Sequence, residues 1–152
     1  MLLTELLTPD RVLVPLSARD KPGIIAELTR HLTERIGGNY SDVLGAVQER
    51  EAGWSTGVGF GVAIPHARSS GVSQLTLVCG VSPEPVPYDS IDGEPVRLFF
   101  LIVGPEQTAG QHVKVLSRIA RLVRREELRE RLCRARSAAE FYQALLDEES
   151  RS

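Results

Sequence analysis

Residues 74–103 read QLTLVCGVSPEPVPYDSIDGEPVRLFFLIV. Two runs, 74–81 and 96–103, are apolar at odd and even positions alike, the pattern of central strands buried on both faces. Between them lie Pro83, Pro85, Pro87 and an Asp92-Gly93 turn signal, with no helical period. Parallel neighbours need a longer crossover, usually a helix, so this connection implies that the sheet is not purely parallel.

Working outward, residues 12–16 (VLVPL) read as a short strand. Asp20 is placed to cap a helix over 21–36, with Pro22 tolerated in its first turn. Ile24, Ile25, Leu28, Leu32 and Ile36 form its apolar stripe, and Gly37-Gly38 ends it. A second helix is expected over 41–50, with Val43, Leu44 and Val47 inward. Beyond the strands, Val113, Leu116, Ile119, Ala120 and Val123 predict one helical stripe, and Leu128 with Leu132 another. Ser137 and Glu140 form a capping box ahead of Phe141, Tyr142, Leu145 and Leu146. The fold class is therefore α/β: one domain over 1–152, with a mixed, mainly parallel sheet flanked by helices on both faces.

Composition excludes several classes of function. The 152 residues are 42% hydrophobic and 25% charged, which is globular, and the net charge of −2 offers no basic excess for nucleic acid. The apolar runs are far too short to span a bilayer. The N-terminus MLLTELLTPDR lacks the basic n-region of a secretory signal. Arginines crowd residues 118–136, but Glu127 with Arg131 and Glu130 with Arg134 stand at i,i+4, so the expectation is a solvated face laced with ion pairs. Cys79 and Cys133 have neither metal-type nor redox-type spacing and read as packing residues, which makes a reducing, cytoplasmic setting the expectation.

The chemistry concentrates in residues 57–68, GVGFGVAIPHAR. Pro65 stiffens the approach to His66, and Arg68 follows. No G-x-S-x-G elbow and no P-loop lysine occurs. The three histidines, His31, His66 and His112, lack the spacing of a zinc site, and His31 reads as a surface residue. No metal or cofactor is expected. A neutral imidazole is a good nucleophile near pH 7, and its attack on phosphorus gives a phosphohistidine. Such a site needs a fixed ring and donors for the phosphoryl oxygens. Glycine backbone amides and the arginine fork supply those, so Thr56, Gly57 and Arg68 are candidates to bind the phosphoryl group.

The stretch Arg50-Glu51, then Ser55-Thr56-Gly57, then Ala63-Ile64-Pro65-His66 resembles the active-site signature of IIA domains of the fructose/mannitol type, shared by nitrogen-regulatory IIA proteins of the phosphoenolpyruvate-dependent sugar phosphotransferase system. Asp92-Gly93-Glu94-Pro95-Val96 and Gln111-His112-Val113 before Leu116-Ser117 match further family positions. The resemblance implies that His66 is phosphorylated on Nε2, that His112 orients it or holds the phosphoryl group, and that Arg50 is the counter-charge. It implies a phosphotransferase component that takes the group from HPr or its nitrogen-branch equivalent. The group then passes to a cysteine of a IIB domain, in sugar transport, or serves as a regulatory signal. Phe60 departs from the small or polar residue of many relatives and is expected to pack locally, an apolar rim for partner docking being the alternative. A rival resemblance is carried by residues 20–40: Asp20-Lys-Pro22-Gly23 is similar to the opening of ACT domains, which bind amino acids. That reading requires βαββαβ alternation downstream.

Overall fold

The computed structural model describes residues 2–151. Two short 3-10 turns, Leu3–Glu5 and Pro9–Arg11, lead into strand β1 (Val12–Leu13) and helices α1 (Lys21–Ile36) and α2 (Tyr40–Gly53). Three short strands follow, β2 (Gly57–Gly59), β3 (Val62–Ala63) and β4 (His66–Arg68), then the long β5 (Thr76–Val86) and β6 (Val96–Gly104). After a 3-10 turn at Glu106–Thr108 the chain ends in α3 (Ala109–Leu122), α4 (Glu126–Cys133) and α5 (Ala138–Ser150).

The strands form one sheet in the order β1-β5-β6-β3-β2, with β4 also paired to β6. β1 lies parallel to β5, and β3 and β4 lie parallel to β6. The β5–β6 pair is antiparallel, as its helix-free connection requires, and so is the β2–β3 hairpin. Alternation along β6 divides the core. Leu98, Phe100 and Ile102 face a cluster built with Ile119, Leu132, Phe141 and Leu145 of α3–α5. Phe99, Leu101 and Val103 face one built with Ile24, Leu28, Leu32, Val43 and Val47 of α1 and α2. Helices thus cover both faces, and period-two alternation sends each side chain of β6 into one or the other layer.

Local signals set the helix ends. The Asp20 carboxylate accepts the Gly23 N–H at 2.8 Å, and Gly37, at φ 76°, closes α1 with its N–H on the Thr33 carbonyl. Asn39 caps α2 through the Asp42 N–H at 3.0 Å. Ser137 accepts the Glu140 N–H at 3.1 Å, while the Glu140 carboxylate reaches back to the Arg136 N–H at 2.8 Å, one residue before the position a capping box uses.

Four expectations are corrected. β1 stops at Leu13 because Pro15 has no N–H to extend the ladder. β5 runs on through Pro83 and Pro85 to Val86, with its register shifted after Val81; extended backbone suits proline, and the break in pairing absorbs the missing donors. α3 is turned relative to the expected stripe: His112, Val115 and Ile119 are buried, while Val113 is 55% exposed and Ala120 is on the outside. Arg131 pairs with Asp147 of α5 at 2.7 Å instead of Glu127, although Glu130–Arg134 does form, at 3.7 Å. α1 leads directly into α2 and not into paired strands, so the βαββαβ order of an ACT domain is absent from residues 20–40 onward.

Candidate active site

The sheet edge that carries β3 and β4 builds the site. β3 pairs with Leu98 and Phe99 of β6, and β4 pairs with Ile102, Val103 and Gly104. Ile64 and Pro65 bridge the two pieces, and the Pro65 carbonyl still accepts the Ile102 N–H at 3.0 Å. His66 is therefore the first residue of β4, fixed to a central strand from both sides of a proline that restricts the backbone before it.

Its ring is fixed as well. Nδ1 lies 2.8 Å from the Ile64 carbonyl. A carbonyl only accepts, so Nδ1 carries the hydrogen and the lone pair sits on Nε2. Burial, the largest influence, holds the His66 pKa below the ordinary 6.5, and the Arg50 charge pushes the same way; the Ile64 carbonyl and the Glu51 carboxylate oppose them. His112, from the buried face of α3, packs edge-on against it with ring centroids 5.6 Å apart. Burial first, then His66 and Arg68, depress its pKa to about 4. Both rings are thus neutral at pH 7. The Nδ1 atom of His112 is buried with no hydrogen-bond partner among the described residues.

These rings open into a concavity of about 760 Å³, lined also by Glu49 and Arg50 of α2, Trp54 just beyond its end, Arg68 of β4 and Val113 of α3. Arg50 donates one Nη1 hydrogen to the Trp54 carbonyl at 2.8 Å, which leaves the rest of its fork for a ligand. Arg68 pairs with Glu106 at 3.1 Å in an exposed contact. Trp54 is 82% exposed at the rim. Two arginines and two neutral imidazoles, against the carboxylate of Glu49, converge on one hollow, an arrangement whose charge suits an anion.

The structure brings together His66, His112, Arg50 and Arg68, but Thr56 and Gly57 do not line the concavity. Thr56 is buried, its N–H and hydroxyl given to the Glu51 carboxylate at 2.7 and 2.5 Å. Gly57 is packed against the chain at Ser90, whose Cα would lie 2.9 Å from an added Cβ. The glycines serve geometry and not an anion: Gly59 and Gly61 take φ values of 97° and 75° to turn the β2–β3 hairpin. Phe60, at φ 60° on that turn, is 62% exposed instead of packed inward, with the Arg129 guanidinium 4.7 Å over its ring. His31 lies far from these groups in sequence and fold, its Nε2 2.6 Å from the Asp10 carbonyl. Burial pushes both thiols up, and among the described residues no group of three or more His, Cys, Asp or Glu could hold a metal.

Glu51, part of the Arg-Glu signature but given no role by it, is buried beside the site. Its carboxylate accepts from Thr56, from the Tyr88 hydroxyl at 3.2 Å and from Lys21 at 3.0 Å. These donors, led among the favourable influences by Thr56, more than offset the cost of burial and hold its pKa below the carboxylate norm. The visible signal is an acid next to Arg50 and five residues before a threonine.

A central sheet of an α/β domain thus presents a carbonyl-anchored histidine to a hollow lined by two arginines. The chain belongs to the EIIA type 2 family of the phosphoenolpyruvate-dependent sugar phosphotransferase system, whose model matches residues 5–148. It is 34% identical over 145 residues to a nitrogen regulatory protein of Bradyrhizobium diazoefficiens, covering 95% of each chain. It is 36% identical over 140 residues to the fructose-specific EIIABC component of Bacillus subtilis, covering 90% of this chain and 22% of that longer one. The crystal structure of nitrogen regulatory protein IIA-Ntr from Neisseria meningitidis superposes with a TM-score of 0.87 at 34% identity, covering 94% of this chain and 98% of that one. Among the described residues no helix is long and apolar enough to cross a membrane.

Proposed function

We propose that the protein is a phosphocarrier in which Nε2 of His66 accepts a phosphoryl group from the phosphohistidine of an HPr-like donor. The observation that carries this reading is the 2.8 Å bond from Nδ1 to the Ile64 carbonyl, which leaves Nε2 as the nucleophile in the arginine-lined hollow. The Nε2 lone pair attacks phosphorus as the donor's N–P bond breaks and its electrons return to the donor ring. Nδ1–H stays on the Ile64 carbonyl, so the phosphorylated ring is a cation and its phosphoryl group an anion. Arg50 and Arg68 answer the anionic oxygens, and neutral His112 supplies a hydrogen bond to them or to the ring edge. In the return step a thiolate of a IIB domain attacks the same phosphorus, an S–P bond replaces the N–P bond, and His66 is neutral again. Phe60 and the hairpin glycines take no part.

A nitrogen-regulatory role is favoured over dedicated sugar transport. The Bradyrhizobium nitrogen regulatory protein and the Neisseria IIA-Ntr structure both match at 34% identity, over 95% and 98% of their lengths, which supports this reading. In this reading the phosphorylation state of His66 is itself the signal to a target protein, and the exchange takes place in the cytoplasm. Incubation with labelled phosphoenolpyruvate, Enzyme I and either HPr or its nitrogen-branch counterpart tests it. Acid-labile label on the wild-type protein and none on His66→Ala is the expected result; equal labelling of both would overturn the assignment.

A further inference from the structure

The acid beside the site arginine has no place in the phosphoryl chemistry, yet it is the most heavily bonded side chain near it. Three hydrogen bonds run in series from it to the nucleophile. The Glu51 carboxylate accepts the Thr56 N–H at 2.7 Å, the Thr56 carbonyl accepts the Ile64 N–H at 2.9 Å, and the Ile64 carbonyl accepts Nδ1–H of His66 at 2.8 Å. The other carboxylate oxygen takes the Thr56 hydroxyl at 2.5 Å and the Tyr88 hydroxyl at 3.2 Å. Lys21 of α1 closes the set at 3.0 Å, itself 4.5 Å over the Tyr88 ring and 4.0 Å from exposed Asp89. Arg50, one residue earlier on α2, clamps the same turn from outside through the Trp54 carbonyl. Successive helix residues point about 100° apart. One therefore reaches into the hollow while the other anchors the turn that follows.

We infer that Glu51 is a positioning residue for His66, fixing through Thr56 and Ile64 the carbonyl that holds the imidazole and supplying a buried negative charge behind the ring. The inference rests on the assignment of His66 as the phosphoryl acceptor. When Nε2 gains phosphorus and Nδ1 keeps its hydrogen, the ring becomes positive. The charges that face it are then Arg50 from α2 and, through His112 of α3, Arg68 from β4, with the Glu49 carboxylate of α2 lining the same hollow. Glu51 is the acid that opposes them. A buried anion a few bonds away makes the cationic ring easier to form without touching the phosphoryl group. Lys21 tempers that charge while satisfying the carboxylate, so the pair sets both the orientation and the basicity of the ring.

The test is the titration of the His66 ring, followed by imidazole NMR in the intact, unphosphorylated protein, for the wild type, Glu51→Gln, Glu51→Asp and Lys21→Met. Removing the anion and removing its cation should act with opposite signs. Glu51→Gln lowers the His66 pKa by about 0.5–1 unit, Lys21→Met raises it, and Glu51→Asp, which keeps the charge, stays nearer the wild type. Phosphoryl acceptance slows in Glu51→Gln and recovers in part in Glu51→Asp. A purely structural role would change melting temperature in all three and leave the titration where it was. If Glu51→Gln does not fold, Lys21→Met decides, since an unmoved or lowered His66 pKa in that variant overturns the inference. The titration is read without phosphate, so its outcome is separate from whether His66 is ever phosphorylated.

Discussion

Replacing Arg50 with alanine separates charge stabilisation from nucleophilicity. In the free protein one guanidinium hydrogen is committed to the exposed Trp54 carbonyl at 2.8 Å, a contact that water replaces easily. The stability cost is therefore about 0.5 kcal/mol. In the phosphorylated protein the remaining donors face a group carrying roughly two negative charges. A charge-assisted bond to such a group contributes about 1.5–3 kcal/mol, which corresponds to about ten- to a hundredfold in rate for each bond lost. Arg50 also depresses the His66 pKa, so Arg50→Ala raises it and leaves less neutral ring on the acidic side. The variant should stay folded and still accept phosphate, but ten- to a hundredfold more slowly in rapid-quench measurements, with a greater deficit below about pH 6.5. Arg50→Lys should recover only part, because an ammonium lacks the planar fork. Transfer by Arg50→Ala at the wild-type rate would refute the role given to this arginine.

His112→Ala should remain folded and slow phosphoryl acceptance by a similar factor. Because His112 titrates near pH 4 and His66 below its ordinary value, acceptance should be flat at neutral pH and fall only below about 6.5, on a single limb, in a pH–rate profile. Glu149 is buried and accepts the N–H groups of Leu3 and Thr4 at 2.8 and 2.9 Å and the Arg118 guanidinium at 2.7 Å, so Glu149→Ala should cost about 3–5 kcal/mol in urea unfolding. Burial, the largest single influence, pushes its folded pKa up, but Arg118, Thr4 and Leu3 together more than offset it and hold the folded pKa below the unfolded one. Its contribution is therefore complete above the unfolded value of about 4.3 and lost as pH falls through the folded one. Standard amino acids at millimolar concentration should produce no thermal shift, and chelator should leave the melting temperature unchanged; a saturable shift with an amino acid would revive a ligand-binding role for residues 20–40.

Much of this architecture was legible in the chain because its signals are local. Asp20 and Gly37 mark both ends of α1, and the helix-free stretch after Val81 dictates the antiparallel β5–β6 pair. His66 stands out because an Ile-Pro-His sequence puts a titratable ring directly behind a rigid residue. The failures share a cause, which is that the deciding partner is remote in sequence. The phase of α3 depends on His112 meeting His66, and apolar spacing alone favours Val113. The glycines of 57–61 suggest an anion cradle until Ser90 is seen against Gly57 and positive φ at Gly59 and Gly61. Arg131 finds Asp147 across the α4–α5 contact in preference to its own helix. Glu51 is only half of an Arg-Glu pair in the sequence, and its partners Lys21, Thr56 and Tyr88 become visible once the fold closes around it.

The most direct measurement of the central claim is the position of phosphorus on the imidazole. The protein, labelled with nitrogen-15 in histidine and phosphorylated through phosphoenolpyruvate and its carrier proteins, is observed by long-range proton–nitrogen NMR and phosphorus NMR without denaturation. With Nδ1 held by the Ile64 carbonyl, the account predicts a single phosphohistidine at His66, phosphorus-coupled at Nε2, with Nδ1 still protonated. Phosphorus on Nδ1 of His66, or on His112 or His31, would contradict it.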